Sequence, residues 1–346
     1  MRPLDPTLLA ELSAAAAEVD QSGQWPQQQF DRLAAAGVLG WVIPEAYGGT
    51  DISGPEMMAC YRELASSCLV TAFILTQRNG ACQRIAAASN AELKLALLPD
   101  LAVGRTFATV GISHLTTSRQ HCGQPAVTAE PIEGGYRLNG FVPWVTGAPY
   151  AQHVVTGATL DDGRQILLAL PTDFAGVNVQ SPSAMLSMTA SATASIDLRN
   201  VEIAESHLLA GPIENVMQHG SGGGTGSLVT SALAAGLSAR CLQLLQDEAT
   251  RRPDLRTTVD SFECEYQSLD ALFAQPDVSS ALVRQRANSL ALRISQACLA
   301  VTKGAGFVSG HPAERAVREA MFFLVWSCPQ PVVAAALEEL VCDSPG

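Results

Sequence analysis

The hydrophobic pattern of this chain changes period twice along its 346 residues, and that constrains the fold more than any other feature. A period of 3.6 puts apolar side chains on one face of a helix; a period of two puts them on one face of a strand. Residues 1–106 read as helical. Asp5-Pro6 offers a side-chain cap followed by a proline at the first helical position, and Leu8, Leu9, Leu12, Ala15, Ala16 and Val19 then recur at helical spacing. A second helix runs near Gln27 to Ala36 and stops at Gly37. Ile43-Pro44-Glu45-Ala46-Tyr47-Gly48-Gly49 cannot continue it and reads as a loop. Helices return through residues 54–100.

From about residue 107 the pattern becomes short runs of β-formers: Tyr136-Arg137-Leu138-Asn139, His153-Val154-Val155-Thr156 and Gln165 to Leu170. Glu133-Gly134-Gly135 and Asp161-Asp162-Gly163 supply turns between them, as in an antiparallel barrel or sandwich. After residue 215 the helical spacing resumes, at Leu228 to Ala249, 278–303 and 311–341. Runs of helices, strands and helices predict an α+β multidomain protein rather than a parallel α/β sheet. The expected units are 1–106, a helical domain; 107–210, a β domain; and 211–346, a helical bundle. Gly220 to Gly226 reads as a flexible entry to that bundle. It lacks the Gly-Lys-Ser/Thr of a phosphate loop, and no GxGxxG follows a strand.

Composition excludes several classes. Hydrophobic residues at 47% and charged residues at 16% suit buried cores and not disorder. A net charge of −12 repels a phosphate backbone, so no nucleic-acid partner is expected. No apolar run approaches the roughly 18–20 residues of a membrane span. Met1-Arg2-Pro3-Leu4-Asp5 lacks the basic start and apolar core of a signal peptide. The expectation is a cytoplasmic protein without a membrane partner. Nine scattered cysteines without a CxxC pair, and six histidines, show no ligand clustering, so no metal is expected.

The run Leu33-Ala34-Ala35-Ala36-Gly37-Val38-Leu39-Gly40-Trp41-Val42-Ile43-Pro44-Glu45-Ala46-Tyr47-Gly48-Gly49 resembles the N-terminal signature of acyl-CoA dehydrogenases. Gly140 to Val155 is similar to the family's middle segment, with its Trp-(Ile/Val)-Thr. Gly304-Ala305-Gly306-Phe307, Pro312, Glu314-Arg315 and Arg318-Glu319 are similar to its late Gly-x-Gly-Phe and Glu-Arg…Arg-Asp run. The resemblance implies an N-terminal helical domain, a central antiparallel β-barrel domain and a C-terminal helical bundle. The last is shortened here between Gln267 and Gly304. It also implies FAD, an acyl-CoA or other acyl thioester substrate, and a homodimer or homotetramer.

By the same resemblance, Trp144 packs against the flavin and the Thr146 hydroxyl lies near N5. Thr109 and Ser113 stand in the family's flavin and substrate loop, without its Thr-Glu-Pro. Arg256 and Thr258 fall where an Arg and a hydroxyl touch the FAD phosphates, although Val259-Asp260 replaces Phe-Gly. Gly304 belongs to the late glycine motif. In many family members that motif runs on to an aromatic-Glu-Gly-Thr whose Glu is the base. The ungapped count from Gly306-Phe307 gives Val325-Trp326-Ser327-Cys328-Pro329, so Ser327 stands in the base position. Serine has no carboxylate to receive an α-proton. Other branches carry the Glu on the first bundle helix, where this chain has Gly226. Three readings follow: an FAD-dependent acyl thioester oxidoreductase with another base, a flavin-dependent monooxygenase on the same scaffold, or a non-catalytic relative.

Overall fold

A computed structural model describes residues 4–116, 124–219, 228–275 and 277–341. Cys122, Cys342 and the glycine run 220–226 fall outside them. Five helices come first: α1 (Pro6–Ser22), α2 (Gln27–Ala35), α3 (Gly54–Ser67), α4 (Leu69–Ala87) and α5 (Ala91–Ala102). The caps are those the sequence announces. Asp5 Oδ1 accepts from the Thr7 amide at 2.8 Å, and the chain leaves α2 through Gly37 at φ +74°. Helix α4 is buried on nearly every face. Within it, Arg78 is fully buried and donates to the carbonyls of Leu39, at 2.8 Å, and Leu101, so it ties the loop after α2 and the end of α5 to α4.

Eight strands follow: β1 (Ala108–Gly111), then, after the short α6 (Ser113–Thr116), β2 (Val127–Ile132), β3 (Gly135–Val145), β4 (His153–Thr159), β5 (Gln165–Pro171), β6 (Val177–Val179), β7 (Ala194–Ala204) and β8 (Leu208–Ile213). They form one sheet in the order β6-β7-β3-β2-β4-β5-β8, with β1 beside β4. The sheet is mixed, where the sequence led us to expect an antiparallel one. β1 runs parallel to β4 from Ala108↔His153 to Gly111↔Thr156, and β2 meets β4 in parallel at Thr128↔Thr159. A parallel neighbour needs a long connection, and here a hairpin, β2 and β3, intervenes between β1 and β4.

The sheet has two buried faces. Val155, Leu167 and Ala169 join the core of the helices, whereas Val154, Ile166, Leu168 and Leu170 join a second core enclosed by the strands. A strand covered on both faces reads as a continuous apolar run, which is why Gln165 to Leu170 shows so little alternation.

Five helices close the fold: α7 (Leu228–Arg251), α8 (Arg256–Phe273), α9 (Ser280–Gly306), α10 (Pro312–Met321) and α11 (Gln330–Leu340). A Cβ at Gly236 of α7 would lie 2.5 Å from the Arg62 carbonyl oxygen, so only glycine allows α7 to lie this close to α3. By length and composition α7 is long and apolar enough to cross a membrane, which corrects the expectation that no such run exists. Of its apolar window 67% is buried inside the protein, as in the central helix of a bundle. Its Arg240 forms a buried ion pair with Glu319 of α10, and Arg315 Nε lies 3.8 Å from the same carboxylate. Glu314 pairs with Arg318.

Candidate active site

One candidate group is built at the end of β3. Its pairing with β7 shifts register between Val142 and Val145, and within that irregularity Trp144 takes φ +56°. A bulky residue in the left-handed region costs on the order of 1–3 kcal/mol and points to a functional constraint. The geometry leaves the indole 61% exposed beside an otherwise buried strand end.

Thr146 is buried. Its Oγ1 lies 3.3 Å from Thr193 Oγ1, which lies 2.7 Å from Ser191 Oγ, while the Gly147 amide donates to the Ser191 carbonyl at 2.8 Å. The hydroxyl is thus engaged inside the protein. Ser191 and Thr193 were not singled out by the sequence; lying in a loop ahead of β7, they carry no local signal.

Ser113 and Thr109 reach the same end of the sheet. Ser113 Oγ donates to the Pro143 carbonyl at 3.2 Å, which fixes the chain after β1 beside Trp144. Thr109 Oγ1 is buried and has no hydrogen-bond partner among the described residues. Thr156 Oγ1 donates to the Gly111 carbonyl at 2.7 Å, and a Cβ at Gly111 would press on Val142, Val145 and Val154. The structure therefore brings Thr109, Ser113, Trp144 and Thr146 together.

A second candidate group surrounds Ser327. A 3-10 turn at Phe322–Leu324 leads into Trp326, and Ser327 takes φ +49°. Arg284, on α9 and only 2% exposed, donates from Nη2 to the Trp326 carbonyl at 2.5 Å and the Ser327 carbonyl at 3.4 Å. Its Nε and Nη1 have no partner among the described residues. One turn further, Asn288 donates to the Phe323 carbonyl at 2.9 Å. Two side chains of one helix face thus hold this turn by its carbonyl oxygens. No carboxylate appears in the hydrogen bonds or ion pairs of Ser327 among the described residues.

Burial lowers the Arg284 pKa, and the nearby Cys328 sulfur partly offsets it. Burial raises the Cys328 thiol, against the pull of Arg284, whose Nη2 lies 3.9 Å away. A thiol held neutral is no substitute base. The alternative base position near Gly226 lies outside the described residues.

Arg256, Thr258 and Gly304 form a separate group. Arg256 and Thr258 lie exposed in the first turn of α8, and Arg256 makes no ion pair among the described residues. Asp260 is exposed as well. Helix α9 kinks at Lys303, with φ +55°, just before exposed Gly304. Arg252 Nη1 donates to the Val301 carbonyl at 2.8 Å, which brings the two segments together. Among the described residues no hydrogen bond or ion pair joins this group to the strand-end group.

A flavin asks for a flat apolar wall, hydrogen-bonding groups at the ring edge and a cation for its phosphate. The bare Trp144 indole, and the Thr109 hydroxyl and Arg256 guanidinium that lack partners among the described residues, fit those demands. Known proteins agree with the fold. Residues 7–105 match the family model described as the acyl-CoA dehydrogenase N-terminal domain. The chain is similar to butyryl-CoA dehydrogenase from Megasphaera elsdenii, with a TM-score of 0.82 at 17% identity over 96% of each chain. It is equally close to FMN-bound TdsC from Paenibacillus sp. A11-2, with a TM-score of 0.81 at 18% identity over 96% of this chain and 94% of that one.

These define an acyl-CoA dehydrogenase fold. In sequence, the chain is 24% identical over 339 residues to a probable acyl-CoA dehydrogenase, YngJ, of Bacillus subtilis (strain 168), covering 90% of this chain and 88% of that protein. It is also 27% identical over 205 residues to a dibenzothiophene monooxygenase of Rhodococcus qingshengii, covering 58% and 48%. Its N-terminal residues 7–105 thus carry the acyl-CoA dehydrogenase N-terminal domain, and the chain as a whole is similar to members of that family.

Proposed function

We propose that the protein is a flavin-dependent oxidoreductase that binds FAD and acts on an acyl thioester without the family's C-terminal carboxylate base. The single observation that carries the flavin reading is Trp144, held bare at a strained position in β3. On this reading Trp144, Thr109, Ser113 and Thr146 frame the ring. Arg256, Thr258 and Gly304 serve the phosphates of a second copy, in a homodimer or homotetramer, which suits their separation from the first group. A flavin bound there would supply the hydride acceptor, while the protein orients the substrate and excludes water. Buried, unpaired thiols at Cys60, Cys68, Cys82, Cys241 and Cys298 suit a reducing, cytoplasmic setting.

Ser327 favours a second reading. Oxygen chemistry on a reduced flavin needs no α-proton abstraction, so a site without a carboxylate suits a monooxygenase, as does the monooxygenase among the relatives. The test begins with the absorption spectrum after FAD or FMN loading and desalting. A retained band supports flavin binding; no band under any loading condition sinks both readings. Anaerobic bleaching by butyryl-CoA then supports thioester oxidation, and oxygen uptake only with externally reduced flavin supports monooxygenation.

A further inference from the structure

Trp25, in the link between α1 and α2, lies at the centre of an aromatic cluster that joins the N-terminal helices to the strand-end group. It stacks on Tyr150 with centroids 4.5 Å apart and planes inclined by 13°, and on Phe30 at 5.4 Å and 15°. Phe107 sets an edge against it at 5.2 Å and 84°. Phe107 leads into β1 and Thr109, whereas Tyr150 ends the turn that follows Thr146. One side chain thus touches both segments that carry the strand-end group. Gly147 lies between them at φ +67°. A Cβ there would stand 2.9 Å from Phe107 and 3.0 Å from Trp25. Gln152 ties the same two segments: its side-chain oxygen accepts from the Phe107 amide at 2.7 Å, and its own amide donates to the Phe107 carbonyl at 2.8 Å.

We infer that Trp25 is a positioning residue, which acts through Tyr150 and Gly147 to hold Trp144 in its strained conformation. The inference rests on the reading above, in which a flavin ring lies against Trp144. A bulky residue with left-handed backbone keeps that conformation only where its surroundings over-determine it. The exposed indole packs against little, so the hold must come from the chain on either side. On one side Ser113 grips the Pro143 carbonyl. On the other, the Gly147 amide donates to the Ser191 carbonyl, and the Tyr150 ring lies flat on Trp25. Of these holds, only Trp25 comes from the N-terminal helices. Tyr150 is itself 43% exposed, so its stack on Trp25 fixes the turn more than it fills a core.

The test is FAD affinity, read by fluorescence titration, together with the visible circular dichroism of the bound flavin. Both are measured in the wild type, Trp25→Leu, Trp25→Phe and Tyr150→Leu. Tyr150→Leu removes the stack from its exposed partner and serves where Trp25→Leu does not fold. Trp25→Leu and Tyr150→Leu should each weaken FAD binding about tenfold, the scale of one aromatic pair, and should change the flavin dichroism. Trp25→Phe keeps a ring against Tyr150 and should recover most of the affinity and the wild-type dichroism. A merely structural Trp25 would lower the urea midpoint and leave the affinity and dichroism of the folded protein unmoved. That result overturns the inference, as does a Trp25→Phe protein no better than Trp25→Leu or an affinity untouched by Tyr150→Leu; FAD binding by the wild type then leaves the flavin reading standing. No FAD binding by the wild type overturns that reading and the inference with it.

Discussion

Ser327 and Arg284 together define the chemistry the site lacks. A cation with 2% exposure and no acidic partner among the described residues grips the backbone at position 327, which on the proposed reading is the base position. Ser327→Glu should therefore create or raise bleaching of the flavin by butyryl-CoA under anaerobic conditions. The adjacent guanidinium favours the ionised form of the introduced carboxylate, so the gain should hold at pH 7 and fade only in the acid range. A flavin-loaded variant without any gain would mean that position 327 is not the base position.

Arg284 has its own reporter. It lowers the Cys328 thiol against burial, so Arg284→Met leaves burial unopposed and the thiol rises further. Alkylation of Cys328 by iodoacetamide should then need higher pH, while exposed Cys264 reacts as before. Position 327 was singled out by counting along a motif. Arg284 was not, because in Leu282-Val283-Arg284-Gln285-Arg286 nothing local separates the buried arginine from the exposed one.

At the scale of elements, the bulge in β3 is what presents Trp144. An indole 61% exposed contributes little packing, so Trp144→Ala should change stability by no more than about 0.5 kcal/mol. The same variant should lose flavin on desalting; retention of a full flavin band would remove Trp144 from the site. Helix α6 docks on the sheet through His114, whose Nε2 lies 3.0 Å from the Gly157 carbonyl oxygen and, as a neutral ring, donates to it.

Burial holds the His114 pKa below its ordinary value, with that hydrogen bond opposing the shift in part. The unfolded chain therefore takes up a proton first, at about pH 6.5, and stability present above that pH is lost as pH falls through the folded value. His153 is shifted the same way, by burial and then by His207, with Asp173 opposing. The urea midpoint should drop between pH 7.5 and 5.5, and drop less in His114→Gln; an equal drop would exclude His114 as a source. The helix-to-strand change was legible here, but the landing of α6 on β4 was not, since it depends on a distant carbonyl.

Over the whole molecule, Arg318 is where the three regions meet. It donates to both Asp20 oxygens, at 3.0 and 2.6 Å, and to Glu314 at 2.9 Å, while its own carbonyl accepts from Ser187 Oγ at 3.0 Å. Asp20 closes α1, Ser187 precedes β7 and Arg318 lies on α10, so one side chain and its backbone join both helical regions to the sheet. Arg318→Met strands two partly buried carboxylates and should cost about 3 kcal/mol, read from the urea midpoint; a loss under about 1 kcal/mol would show the junction to be surface pairing only.

The sequence by itself determined the order of helices, strands and helices, the caps at Asp5 and Gly37, and the family resemblance, because period, capping and motif spacing are local properties. Tertiary structure alone decided that β1 lies parallel to β4, that Ser191 and Thr193 engage Thr146, that Arg284 is buried under the turn at 327, and that Trp25 stacks on Tyr150. Each of these joins residues far apart in the chain, and the energy that selects such pairs comes from mutual burial, which no stretch of sequence carries alone.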